Sequence, residues 1–240
     1  LVIKSWTPDE EQTTTIAAAK SKIDELYANA FDSTKLYRVY NKKKNDDKTY
    51  ADTEYMAWSP EGNHLAVYNA ESENQLWRFI QGTGDNAEKY LIYNVATGKY
   101  MREVVGSNGV QLTANENEAV YYAMKKHDSE NKYAFCSRNE QKNHLYNDGG
   151  GKLAGWTGND NEYFILEAVE KKVNVTYSFK FDGVEKYTQT ESLNAGDKYP
   201  DFKVTLPYGV SAEAKPAGRV GLTDINKDVE LTTSSLPFEF

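Results

Sequence analysis

Asn74-Gln75-Leu76-Trp77 is the phrase around which this chain is organised. It returns as Asn117-Glu118-Ala119-Val120, 43 residues on, and as Asn161-Glu162-Tyr163-Phe164, a further 44 on. The shared form is Asn, then Gln or Glu, then any residue, then a large apolar residue. A second phrase opens each unit: Tyr37-Arg38-Val39-Tyr40-Asn41 reappears as Tyr90-Leu91-Ile92-Tyr93-Asn94, with a weaker echo from Tyr133-Ala134-Phe135. Three units of roughly 40 to 50 residues therefore fill 33–171, a period that signals a repeat architecture. Each phrase mixes β-branched and aromatic residues, so the units read as strands. Pro60-Glu61-Gly62-Asn63, Ala96-Thr97-Gly98, Ser107-Asn108-Gly109, Asn147 to Gly151 and Gly158-Asn159-Asp160 are turn signals between them. Each unit is expected to send one apolar anchor inward near its end: Trp77, Val120 and Phe164.

Outside the repeats the character changes. In residues 1–32, a helical linker, Thr7 is a candidate N-cap, Pro8 suits the first helical position, and Asp9, Glu10 and Glu11 suit the positive end of the dipole. Ile16, Ala19, Ile23, Leu26, Tyr27 and Ala30 then form one apolar stripe at helical spacing, fit to pack on a neighbouring domain. Residues 172–240 read as a small β domain. Val173 to Phe181 alternates, with apolar residues at the odd positions, and predicts a strand with one buried face. Asp182-Gly183 is a hairpin signal, Val184 to Leu193 the returning strand, and Asp228 to Thr232 a last strand.

Composition narrows the function. The formal charge is −8 and there is no basic block, so the Lys/Arg stripe of a nucleic-acid binder is missing, and anionic membrane surfaces are disfavoured on the same ground. No apolar run reaches the roughly 18 residues of a membrane span. The single cysteine, Cys136, cannot form an intrachain disulfide and reads as a small buried hydrophobe. The start at Leu1 and the abrupt end around Leu236-Pro237-Phe238 read as the limits of a piece excised from a longer protein, so the lack of a signal peptide is silent on location.

Catalytic and metal signatures are absent. His64, His127 and His144 lie far apart, with no His-Glu-x-x-His spacing. Gly149-Gly150-Gly151-Lys152 lacks the first-glycine spacing and the following Ser or Thr of a phosphate loop. Asp224, Asn226 and Asp228 alternate, but lack the Gly and distal Glu of a calcium loop and read as solvated. Asn174-Val175-Thr176 matches a glycosylation acceptor, yet falls inside a predicted strand. No catalytic residue, metal or cofactor is assigned, and the chain is read as not an enzyme.

With these residues in view, the segment resembles the ricin-type β-trefoil lectins, whose three units each close on Gln-x-Trp. The full pattern stands only at Gln75-Leu76-Trp77; the later units carry Glu and then Val or Phe. The Tyr-rich style of 93–100 is similar to trefoil modules in large secreted proteins of gut Bacteroidetes. The C-terminal order Tyr, Asp-Gly, Ala-Gly-Asp-Lys-Tyr, Pro-x-Gly resembles the MucBP-like repeats of bacterial surface proteins, with an immunoglobulin-like domain as the alternative. The resemblance implies a mainly β chain: a helical linker at 1–32, a ricin-like trefoil at 33–171, and a β-grasp or Ig-like domain at 172–240.

It also implies a type of site. An aromatic ring stacks on the C–H face of a sugar, while Asn and an acid exchange hydrogen bonds with its hydroxyls. Carried over by position, unit one supplies Asn74, the ring of Tyr68 and the acid Asp52, with Asp46 and Asp47 as competitors for that role. Unit three supplies Asn161 and the ring of Trp156, with no acid placed. Unit two offers Asn117 but has Leu112 in the ring position, so no site is expected there. Each residue has a purely structural alternative: Tyr68 as a strand residue, Asn74 as a turn residue, Trp156 as a core ring at a barrel corner, Gln75 as a bonder of backbone. Trp58 is expected in the core. The implied function is noncatalytic carbohydrate binding by an extracellular or cell-surface protein, with glycan and neighbouring domains as partners. The alternative is a spacer or protein-interaction module with no sugar site.

Overall fold

The structure is a computed structural model that describes Thr15, Ala17–Ala19 and residues 31–44, 50–103, 109–127, 131–139, 142–149, 151–156, 162–205 and 211–233. The chain divides into two compact units, 1–32 and 33–240. In the first, Thr15 and Ala17–Ala19 are helical, inside the predicted helix. Its proposed cap at Thr7 and most of its apolar stripe lie outside the described residues.

Twelve strands carry the repeats, four to a unit. Unit one holds β1 (Leu36–Lys44), β2 (Tyr50–Trp58), β3 (Leu65–Val67) and β4 (Trp77–Gln81). Unit two holds β5 (Lys89–Asn94), β6 (Lys99–Met101), β7 (Leu112–Thr113) and β8 (Tyr122–Lys126). Unit three holds β9 (Lys132–Asn139), β10 (Lys142–Asn147), β11 (Leu153–Trp156) and β12 (Phe164–Val169). The first and last strands of each unit close a ring. β1 pairs with β4, β4 with β5, β5 with β8, β8 with β9, β9 with β12, and β12 returns to β1.

The middle strands form three hairpins, β2–β3, β6–β7 and β10–β11, hung on β1, β5 and β9. Their ends meet: Leu153 N donates to Asn63 O at 2.9 Å, and Val110 N to Leu153 O at 2.9 Å. A closed ring of six strands capped by three hairpins is the β-trefoil. Closure leaves the ring no open edge. The opening phrase thus lies in β1, β5 and β9, and the closing phrase leads into β4, β8 and β12, the two barrel strands of each unit.

The barrel is filled by rings from all three units. Trp58 packs edge-on against Phe135 and Phe164, each at 5.1 Å, and against Trp77 at 6.1 Å; Phe79 stacks on Phe135 at 5.4 Å. Trp77 and Phe164 are fully buried, as the repeat requires. Val120 corrects the expectation for unit two: it is only half-buried. Too small to reach the axis, it yields to the ring of Tyr122, two residues on, which is fully buried and donates to Arg102 O at 2.7 Å.

Residues 172–240 add two three-stranded sheets. The first pairs β13 (Lys172–Phe181) antiparallel with β14 (Val184–Asn194) and parallel with β17 (Ile225–Glu230). The second is β15 (Phe202–Thr205), β16 (Ser211–Ala214) and β18 (Thr232–Thr233). Asp182 and Gly183 turn the β13–β14 hairpin with φ of +51° and +72°, the geometry that an Asp-Gly pair favours. Val173, Val175, Tyr177 and Phe179 are buried, as the alternation predicts.

This face does not close on its own sheets alone. One core joins it to Leu36, Leu76, Leu91, Tyr93, Val95 and Tyr100 of the trefoil. Arg78 ties the seam, with Nη1 donating to Thr34 O and Nη2 to Asp197 Oδ1 at 2.5 Å. Gly196 lies against the stem of Arg78 with φ +83°; a Cβ there would stand 3.3 Å from two of its carbons and 3.2 Å from Val95 Cγ2.

Candidate functional site

The closing phrase positions the candidate residues of unit one. Glu73–Gln75 forms a 3-10 turn that delivers Trp77 into the barrel. The buried side chain of Gln75 accepts from Asn69 N at 2.9 Å and donates to Val67 O at 2.8 Å. It is therefore a clip that holds the end of β3, the backbone role weighed from sequence. Asn74 is half-buried and donates through Nδ2 to Glu61 Oε1 at 2.8 Å. Glu61 belongs to the β2–β3 turn and went unnoticed in the sequence; only the Pro-Glu-Gly-Asn turn signal marks its place.

Tyr68 has other partners. Its hydroxyl donates to Glu167 Oε2 at 2.6 Å, and its ring tilts against Tyr40 at 4.6 Å. Burial, reinforced by the hydrogen bond to the Glu167 carboxylate, pushes the Tyr68 hydroxyl up to about 12. Arg38 Nη1 lies 3.9 Å from the same carboxylate. Among the described contacts no hydrogen bond links Tyr68 to Asn74. Asp52 lies on β2, and its side chain is outside the described residues, as are Asp46 and Asp47.

Unit three differs. Trp156 ends β11 with 57 % of its surface exposed, while Gly155 and Ala154 before it are buried. Trp156 stands opposite His144 on β10, and His144 Nδ1 faces Glu162 Oε2 at 3.2 Å, both side chains nearly buried. Glu162 holds the sequence position that Gln75 holds in unit one, two residues before the anchor. A side-chain pair thus occurs where unit one uses backbone bonds. Asn161 lies outside the described residues. In unit two, Leu112 is half-buried in the ring position and Asn117 is exposed.

Other sequence features resolve into ordinary contacts. Asp224 accepts from Asn174 N at 2.8 Å and from its Nδ2 at 3.2 Å, and Asp228 pairs with Lys180 at 2.6 Å. Among the described residues no group of His, Cys, Asp and Glu is set to hold a metal ion. Trp58 is wholly core. Among the described residues no helix is long and apolar enough to cross a membrane.

Comparison with known proteins follows the fold. No family description and no curated protein matches the chain. Among solved structures, the chain is similar to the BEL β-trefoil in an apo crystal form, at 19 % identity and a TM-score of 0.41, over 56 % of this chain and 93 % of that one. It is similar to a Macrolepiota procera ricin B-like lectin in complex with lactose, at 13 % identity and 0.40, over 57 % and 98 %. A third is SeviL bound to an asialo-GM1 saccharide, at 14 % identity and 0.39, over 56 % and 97 %. The trefoil of this chain is defined by its own closed ring of strands.

Proposed function

We propose that the chain is a noncatalytic carbohydrate-binding module of a larger extracellular protein, and that its trefoil holds glycan through unit three. The observation that carries this reading is the exposed ring of Trp156 at the end of β11, in the hairpin that caps unit three. A large aromatic left in water on a rigid strand end offers a flat apolar face at little entropic cost, and a sugar presents a matching C–H face. Asn161, five residues on, would supply the planar amide for the hydroxyls. Neither partner needs a metal or cofactor. A single open site of this kind binds weakly, and attachment to neighbouring domains would raise avidity.

The test is a glycan array probed with the whole chain and with Trp156→Ala. Binding by the wild type that the variant loses, with its circular dichroism unchanged, supports the module. A folded wild type that binds nothing on a broad array overturns it.

A second reading, a spacer that positions another domain, has support in unit one. There Tyr68 and Asn74 are taken up by Glu167 and Glu61, and the trefoil shares its core with the C-terminal sheets. The same array decides between the two.

A further inference from the structure

We infer that the seam between the second trefoil unit and the C-terminal sheets is a separate saccharide site, which grips a neutral hydroxyl between a buried arginine and a facing carboxylate. It stands whether or not the Trp156 rim binds.

The seam holds a cleft of about 270 Å³ floored by Tyr100, Glu116 and Arg219. That is slightly below the roughly 300–1,000 Å³ typical of sites for drug-sized ligands, so its occupant is the size of one sugar ring. Arg219 is held almost rigidly. Its side chain is only 7 % exposed, Nε donates to Tyr100 Oη at 3.1 Å, Nη1 donates to Gly196 O at 3.1 Å, and the guanidinium lies 5.6 Å from the centre of the Tyr93 ring. The remaining nitrogen, Nη2, is 3.9 Å from Glu116 Oε2. That is too far for a hydrogen bond. Glu116 is itself oriented, since the same oxygen accepts from Tyr100 Oη at 2.6 Å.

The gap is thus a fixed donor facing a fixed acceptor. A ligand oxygen placed about 2.8 Å from each would sit at the apex of a nearly right-angled bridge. The occupant's chemistry follows from the two charges. A carboxylate there would meet Glu116, and an ammonium would meet Arg219. A hydroxyl accepts from one and donates to the other.

The rim repeats the pattern, with Lys198 as donor and Asp201 as acceptor, the latter 3.6 Å from Lys215. Pro216 and Ala217 give an apolar wall for C–H groups. Gly218, at φ +91°, has no side chain to cover Tyr199, whose nearest ring carbon would be 4.0 Å from a Cβ.

The experiment uses the ¹⁵N-labelled whole chain, titrated separately with galactose, glucose, mannose and N-acetylglucosamine, and with glucuronate and glucosamine as charged counterparts. The expected result is a saturable shift of the Lys198, Ala217, Gly218 and Arg219 amides with at least one neutral sugar. Ala217→Trp fills the cleft from an exposed position, and should abolish those shifts while the rest of the spectrum is unchanged. Glu116→Ala should weaken binding about tenfold or more, the loss of one charge-assisted bond. The inference is overturned if no neutral sugar moves these amides, if only a charged counterpart does, or if the shifts survive in Ala217→Trp. The Trp156 indole resonance in the same spectra reports the other site, so failure of one is distinct from failure of the other.

Discussion

Replacing Gly196 by alanine should destabilise the trefoil from outside it. Gly196 follows β14 in the C-terminal sheets, yet its bare Cα faces Val95 and the stem of Arg78 in the trefoil. Two costs add. An alanine held at φ +83° is in the left-handed region, at about 1–2 kcal/mol. Its methyl group at 3.2–3.3 Å from three carbons must push them aside, and overpacking of this kind costs about 1–3 kcal/mol. The sum is about 2–5 kcal/mol. With a urea slope of about 2–3 kcal/mol/M for a unit of this size, the midpoint should fall by about 1–2 M.

The tryptophans make the assay specific. Trp6, Trp58, Trp77 and Trp156 all precede residue 172, so tryptophan fluorescence does not report the C-terminal sheets directly. Because one core spans both parts, fluorescence and far-ultraviolet circular dichroism should shift together and stay coincident. An unchanged fluorescence midpoint, with a separate early transition in circular dichroism, would refute the shared core.

Three further outcomes are expected. Asp197→Ala leaves the Arg78 guanidinium, 9 % exposed, without its carboxylate. The loss should be about 2–3 kcal/mol, less than for a fully buried pair because Asp197 keeps some water, and a double-mutant cycle with Arg78→Met should recover part of it. Trp77→Ala empties a fully buried site and removes the 3.2 Å bond from its indole nitrogen to Trp58 O, so urea titration should show about 3–5 kcal/mol of destabilisation.

The third outcome concerns alkaline pH. Burial first, then neighbouring carboxylates, pushes the hydroxyls of Tyr68, Tyr100 and Tyr177 up to about 12. The folded state therefore holds these protons after the unfolded chain has released its own near pH 10. Their stabilisation is full below about pH 10 and is lost as pH rises through about 12. Denaturation midpoints measured between those limits should fall, and a rise would contradict the assignment.

The repeat made the fold legible. The Tyr-Asn phrases are barrel strands and Gln75-Leu76-Trp77 is the turn into one, and their spacing survives because each unit must return to the same ring. Val120 misled because the pattern records position, not reach: the barrel axis takes a ring, and Tyr122 supplies it two residues later. Asp182-Gly183 was readable because its backbone geometry is local. The parallel pairing of β13 with β17 was not, since it joins residues about 50 apart through a connection without periodicity.

The candidate site divides in the same way. For Trp156 the sequence left two readings, a ligand ring and a core ring at a barrel corner, and the structure leaves the ring exposed. The partners of Tyr68 and Asn74 could not be read, because Glu167 lies 99 residues from the tyrosine and Glu61 carries no motif. The seam was also invisible, since Arg219, Gly196 and Glu116 meet only when the two parts fold together.

The most direct test of the trefoil as a glycan module is a titration of the whole chain with the saccharide it binds best on the array, following the Trp156 indole N–H resonance. That resonance should move saturably while those of the buried Trp58 and Trp77 stay fixed, and Trp156→Ala should weaken binding about tenfold or more. A Trp156 resonance that stays still at saturation, or an alanine variant that binds as tightly as the wild type, would contradict the assignment of the site to this ring.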